Sequence, residues 1–246
     1  MQQAKSRKQF TSAQLILFGF AVVILAGTAL LSLPFAIKPG NSGNFIDLLF
    51  TATSAICVTG LVVVDTGTFF TPAGHVVILT LIQIGGLGII TATTLYALIL
   101  GKRIGLRERV ILKEALNNQD IGGVVRLVKF ILTVTLIIEL IGGLLLSAAF
   151  LEYFPPLKAA WYGFFHAVSG FCNAGFDLFG ADYYKFSSLI PLHHNALIVL
   201  TLSVLTILGS LGFFVIIDVY RQKKWQQFTL HSKLAIVSTA AFVMLG

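Results

Sequence analysis

From Ala73 to Leu100 the chain passes without a single Asp, Glu, Lys or Arg. A run of that length matches the roughly 30 Å hydrocarbon core of a bilayer and is hard to bury inside a soluble domain. Three further stretches, residues 12–33, 124–151 and 195–220, also reach the length of about 20 residues that a transmembrane helix needs. A fifth begins near Leu230 and is still running at Gly246. Only 11% of the residues are charged, against about 25% in soluble domains, and the mean hydropathy is +0.91. The expected fold class is therefore an all-α polytopic membrane protein. Residues 12–33 carry no small-residue cleavage pattern, so they read as a span rather than a signal peptide. Two cysteines supply no disulfide framework.

The net charge of +7 belongs to topology rather than to nucleic acid. Of the 17 lysines and arginines, all but Lys38, Lys158 and Lys185 fall before the first span, between the second span and the opening turns of the third, or after the fourth. The positive-inside rule makes these segments cytoplasmic, the N-terminus included. Between the spans, on the opposite side, lie two apolar segments of about a dozen residues, 45–56 and 157–171, too short to cross. Both are expected to be re-entrant, dipping in from outside.

Each short segment ends in a polar, glycine-containing break: SAICVTGL at 54–61 and SGFCNAGF at 169–176. Phe50, Ala52, Ser54, Cys57 and Gly60 match Phe165, Ala167, Ser169, Cys172 and Gly175 at a constant offset of 115. Gly27, Leu30, Leu31 and Ser32 match Gly142, Leu145, Leu146 and Ser147 at the same offset. After the breaks, Gly85, Leu87 and Gly88 match Gly209, Leu211 and Gly212 at 124, so the second outer loop is nine residues longer. Three blocks in one order define a tandem repeat of span, re-entrant loop, span. Each unit crosses twice, so successive units share one orientation and can sit around an axis along the membrane normal.

Irregular backbone at membrane depth is tolerated where protein buries it or where it lines an aqueous cavity. A re-entrant helix ending at Ile56 or Phe171 is expected to leave its last carbonyls unpaired, with the negative end of its dipole favouring a cation. The following residues, Cys57, Val58, Thr59 and Gly60 and then Cys172, Asn173, Ala174 and Gly175, are the expected ion-selectivity filter. Their backbone carbonyls can replace a potassium ion's hydration shell, and glycine permits the angles that aim those carbonyls. No metal ligand other than those carbonyls is expected. Asp65 and Asp177 follow the breaks and belong to the outer mouth, where they raise local cation concentration.

The stretches TATSAICVTGLVVVDTG, LIQIGGLGIITATT and GKRIGLRERVILKEALN resemble the superfamily of Trk, Ktr and HKT cation transporters, most closely the Ktr membrane subunit of the KtrB and KtrD type. The resemblance covers essentially the whole chain. It implies four span–loop–span units around one potassium pathway, one filter glycine per unit, with Gly60 and Gly175 at the first two positions. Glycine rather than serine at the first position implies potassium over sodium. It further implies a plasma-membrane protein of bacteria that works as a homodimer on a cytosolic, nucleotide-binding RCK ring, with sodium as coupling or activating ion. No covalently bound cofactor is expected. Only two units and the opening of a third are present, so the chain is expected to be truncated.

The expected organisation is a cytoplasmic N-terminus (1–11), a first repeat (12–101), a basic cytoplasmic loop (102–123), a second repeat (124–221), and a loop leading into a third repeat (222–246). Loop 102–123 patterns as an amphipathic helix at the interface. With Arg221 to Lys233 it offers the docking surfaces for a ring. Glu139 lies inside the third span, where an ionisable group is costly, and its repeat counterpart is Ile24. It either bonds a neighbouring helix or forms a coupling-ion site. Cys57 and Cys172 are expected to pack behind the filter, and His193–His194 lacks a third metal ligand. The GGLG of residues 85–88 reads as small residues for close helix packing. No nucleophile–base, paired-Asp or metal constellation lies in the spans, which argues against an enzyme. The alternatives are a sodium or mixed-cation pathway and a non-conducting assembly subunit.

Overall fold

The computed structural model describes residues 12–88, 124–222 and 224–245. The basic N-terminal residues Lys5, Arg7 and Lys8, the distal part of the second expected span (89–100) and loop 102–123 lie outside the described residues.

The first unit comprises α1 (Ser12–Leu31), α2 (Phe45–Ile56), the single turn α3 (Thr66–Phe69) and α4 (Pro72–Leu87). The second comprises α5 (Val124–Phe150), α6 (Pro156–Phe171) and α7 (Ala196–Leu211). The helices α8 (Phe213–Gln222) and α9 (Leu230–Leu245) follow. Apart from one isolated bridge between Ile37 and Phe70, regular structure among the described residues is helical.

Local chemistry sets the ends. Thr71 caps α4, its Oγ1 accepting from Gly74 N–H at 3.1 Å, with Pro72 in the first turn. Asn195 caps α7 in the same way, accepting from Leu197 and Ile198 N–H at 3.1 and 3.2 Å. The bounds of α4 and α7 differ by the 124 residues that the glycine blocks differ by. Each then stops at a glycine with φ near +80°, Gly88 and Gly212, a backbone that L-residues resist.

The stop at Gly212 divides residues 195–220, read as a span in the sequence, into two helices. Helices α7 and α8 meet at 90° across Gly212. Likewise α4 ends at Leu87, so its described 16 residues reach about 24 Å, short of the hydrocarbon core. Among the described helices one, over Val128–Phe150, is long and apolar enough to cross alone. The two short segments fall where expected, the second starting one residue earlier than the sequence suggests.

Packing repeats as well. Gly27 of α1 receives the Leu81 side chain of α4, and Gly142 of α5 receives Leu205 of α7; a Cβ on either glycine would stand 2.8 or 2.7 Å from the leucine methyl. The α5 helix shows how the unit faces its surroundings. Leu136, Leu140 and Leu144 point outward, while Thr135, Glu139 and Leu146 are buried. Apolar residues outside and polar ones inside is the arrangement a hydrocarbon solvent selects. The buried core runs continuously from Leu31, Ile56 and Ile78 in the first unit to Phe150, Phe165 and Phe179 in the second.

Candidate functional site

The two breaks are the same structure made twice. After α2, Cys57 N–H donates to Thr53 O (2.9 Å), Val58 N–H to Ala55 O (3.3 Å) and Thr59 N–H to Ser54 O (3.0 Å). After α6, Cys172, Asn173 and Ala174 donate to Val168, Gly170 and Ser169 at 2.9, 3.0 and 2.7 Å. With Val58 at φ 56° and Asn173 at φ 59°, both ends are Schellman caps, in which a left-handed residue folds the chain back over the last turn.

This corrects the expectation of open carbonyls at the helix ends. The carbonyls of Ser54, Ala55, Ser169 and Gly170 are closed by the returning chain. The final helical carbonyls, Ile56 O and Phe171 O, are backed by glycine instead. A Cβ on Gly85 would overlap Ile56 O, and one on Gly209 would overlap Phe171 O. The glycines read as packing residues thus hold the pore-helix ends, while Gly88 in the same GGLG breaks the helix.

Beyond the caps the chains run outward and meet. Gly60 (φ 73°) and Gly175 (φ 71°) are neighbours: a Cβ on Gly60 would lie 2.6 Å from Ala174 O and 3.5 Å from Gly175 Cα. The residues expected to form the filter are therefore brought together, and the C-terminal ends of α2 and α6 lead into the same place. Cys172 is buried, as expected of a residue packed behind it, with its Sγ 3.9 Å from Glu139 Oε1. Cys57 departs from that expectation and is exposed, because the helix residue Gly86 that covers Cys172 has no counterpart over Cys57 among the described residues.

The glycines open into a cavity of about 170 Å³ lined also by Asp65, Asp177 and Phe186. Asp177 accepts from Phe179 N–H at 3.1 Å. Burial, helped by the nearby Asp65 charge, pushes its carboxyl up to about 6. Asp65, which lines the same cavity, also has structural partners. It is buried, caps α3 by accepting from Thr68 N–H (2.8 Å), and accepts from Phe186 N–H (2.7 Å) in the other unit's outer loop. Gly180 leaves the space its carboxylate fills.

Several supporting residues escaped the sequence reading. His166 is buried behind the second turn, with Nδ1 bonded to Tyr162 O at 2.6 Å and Nε2 receiving Leu178 N–H at 3.3 Å. Those partners fix the Nδ1–H tautomer, and the ring stacks on Phe179 at 4.3 Å. Tyr162 hydroxyl donates to Asp182 (2.6 Å), which also pairs with Lys158. Gln83 donates to Glu139 Oε1 at 3.0 Å, so Glu139 does bond a neighbouring helix. A polar amide alone in an uncharged run was the available signal. Among the described residues no three His, Cys, Asp or Glu side chains gather as a metal-ligand set; His193 and His194 lie against each other.

Paired helix–re-entrant loop–helix units converging on two glycine turns define a membrane protein of the pore-loop transporter class. The chain belongs to the TrkH family of cation transport proteins, whose pattern matches residues 5–236. It is 42% identical to the potassium/sodium uptake protein NtpJ of Enterococcus hirae over 246 residues, all of this chain and 53% of that protein. Over 231 residues it is 42% identical to the Ktr system potassium uptake protein B of Bacillus subtilis, covering 94% of this chain and 50% of the relative. The corresponding Vibrio alginolyticus protein is 39% identical over 95% of this chain and 50% of its own length. The chain thus spans about half the length of the curated relatives it matches.

Proposed function

We propose that the chain forms the first half of the pore of a Ktr-type potassium uptake system. The observation that carries this reading is the convergence of Gly60 and Gly175 at the ends of two equivalent re-entrant helices. Potassium enters through the cavity beside Asp177, sheds water, and is coordinated by backbone carbonyls of residues 57–60 and 172–175. The α2 and α6 dipoles present their negative ends to the ion, and the Schellman caps hold the turns rigid enough to replace hydration water. Sodium acts as a coupling or activating ion. The printed name of the Enterococcus hirae relative includes sodium, which keeps a mixed-cation pathway as the second reading.

In this reading the protein is a multi-pass protein of the bacterial plasma membrane, its basic segments and N-terminus cytoplasmic. It pairs as a homodimer in lipid and sits on a cytosolic nucleotide-binding RCK ring, for which residues 102–123 and 221–233 are the available faces. The test is rubidium uptake by the intact natural gene in a bacterium lacking its own potassium uptake, beside Gly60→Ser and Gly175→Ser. Uptake that both substitutions weaken or open to sodium supports the pathway. Membrane-inserted protein with no uptake, with and without a cytosolic ring, rejects it.

A further inference from the structure

Helix α4 lies between the two filter turns and touches both. Its Gly85 backs Ile56 O of the first turn, and its Gly86 faces Cys172 of the second, where a Cβ would stand 2.5 Å from Sγ. Packing this close leaves α4 no freedom to slide without moving both turns. One turn earlier, Gln83 projects toward the second unit and donates from Nε2 to Glu139 Oε1 at 3.0 Å. The same carboxylate oxygen is 3.9 Å from Cys172 Sγ. Gln83, Glu139 and Cys172 therefore close a triangle across the boundary between units.

Glu139 is 6% exposed, sits midway along α5, and has no ion-pair partner among the described residues. An uncompensated ionisable group in a span is costly, and its bond to Gln83 is charge-assisted when the carboxylate is ionised. The counterparts of Glu139 and Gln83 in the other copies of their helices are Ile24 and Ile207. The polar pair is thus not an element of the repeat, but something particular to this junction.

We propose that Glu139 is a positioning residue for the ion pathway. Through Gln83 it fixes the register of α4, and α4 in turn holds the first turn through Gly85 and the second through Gly86 and Cys172. This deepens the proposed function and rests on it, since the turns matter to transport only if they line the pathway.

The test uses the intact natural gene with Gln83→Leu, Glu139→Leu, Glu139→Gln, and the exchange Gln83→Glu with Glu139→Gln. Two readouts are taken: discrimination between rubidium and sodium in uptake, and the rate at which N-ethylmaleimide labels Cys172 in membranes, followed by mass spectrometry of the peptide that contains Cys172 so that the exposed Cys57 is left unchanged. Either leucine variant should lose about tenfold in discrimination, the scale of one charge-assisted hydrogen bond, and label Cys172 faster. The exchange, which keeps a carboxylate facing an amide, should restore both. Glu139→Gln keeps an amide oxygen for Gln83 but loses the charge assistance, so it should shift both readouts in the same direction by less than the leucine variants do; if the leucine variants fail to accumulate, an unchanged Glu139→Gln overturns the proposal. Unchanged discrimination and labelling in Gln83→Leu, or an exchange no better than the single leucine changes, overturns the proposal. A parent that takes up no rubidium rejects the transport reading instead, and labelling then still tests the triangle.

Discussion

Gly60 and Gly175 face each other unequally. A Cβ on Gly60 would meet Ala174 O at 2.6 Å, whereas one on Gly175 would find only Gly60 Cα, at 3.5 Å. Both glycines hold φ above +70°, so both substitutions strain the backbone. Only the first also drives a side chain into a carbonyl of the opposite turn. Gly60→Ala should therefore abolish rubidium uptake, while Gly175→Ala should leave a measurable fraction with weakened discrimination against sodium. Equal losses in the two variants would show that backbone angle alone governs the site.

The glycines behind the turns should matter to stability before they matter to selectivity. Gly85 and Gly209 each back a main-chain oxygen, which cannot rotate away as a side chain can. Alanine at either position should cost about 1–3 kcal/mol, the range of overpacked cores, and lower the thermal midpoint of the purified protein. Gly170→Ala is the control, since its nearest neighbour is the end of the flexible Leu202 side chain at 3.3 Å.

Much of this architecture was legible because the repeat makes two sequences report on one structure. The offset of 124 fixed the relation between α4 and α7, and segment length alone separated α2 and α6 from the spans. What escaped depends on context that one helix does not carry. A glycine in an apolar run fits close packing or a break, and Gly85 and Gly88 do one each. The cap over Ser54 O needs Val58 in a left-handed conformation, which a β-branched residue resists, so nothing in the sequence favoured it. Asp65 lines the cavity beside Gly60 and Gly175, but its capping of α3 went unread, although Asp-Thr-Gly-Thr is also a helix-start signature. The partner of Glu139 was set by how α4 packs on the second unit.

The contrast between Val58 and Asn173 yields a prediction of opposite sign at equivalent positions. Both are left-handed, but Asn tolerates that region and Val does not. Left-handed backbone costs an ordinary residue about 1–2 kcal/mol, so Val58→Asn should stabilise the protein by about 1 kcal/mol. Asn173→Val should destabilise it by more, because it also removes the Asn173 side-chain bonds to Ser210 Oγ (2.9 Å) and Phe171 O (3.3 Å). Denaturation midpoints of the two purified variants check both signs. If Val58→Asn is stable yet loses selectivity, the strained valine is there for transport rather than for folding.

Asp177 should make the mouth pH-sensitive. Burial and the Asp65 charge raise its carboxyl from 3.8 to about 6, against the opposing bond from Phe179 N–H. A raised acid pKa means the folded state holds its proton more tightly than the unfolded chain. Stability from this group is therefore full below pH 3.8 and lost as pH rises through about 6. At neutral pH the ionised carboxylate is a cost to folding, kept beside the cavity where a negative charge concentrates cations. Asp177→Asn should then be more stable than the parent at pH 7.5, with the difference fading toward pH 4. Rubidium uptake at limiting external cation should show the reverse order, the parent exceeding the variant at pH 7.5 and approaching it below pH 6 as Asp177 is neutralised. A variant that matches the parent in uptake at every pH would leave the carboxylate no part in drawing cations to the mouth.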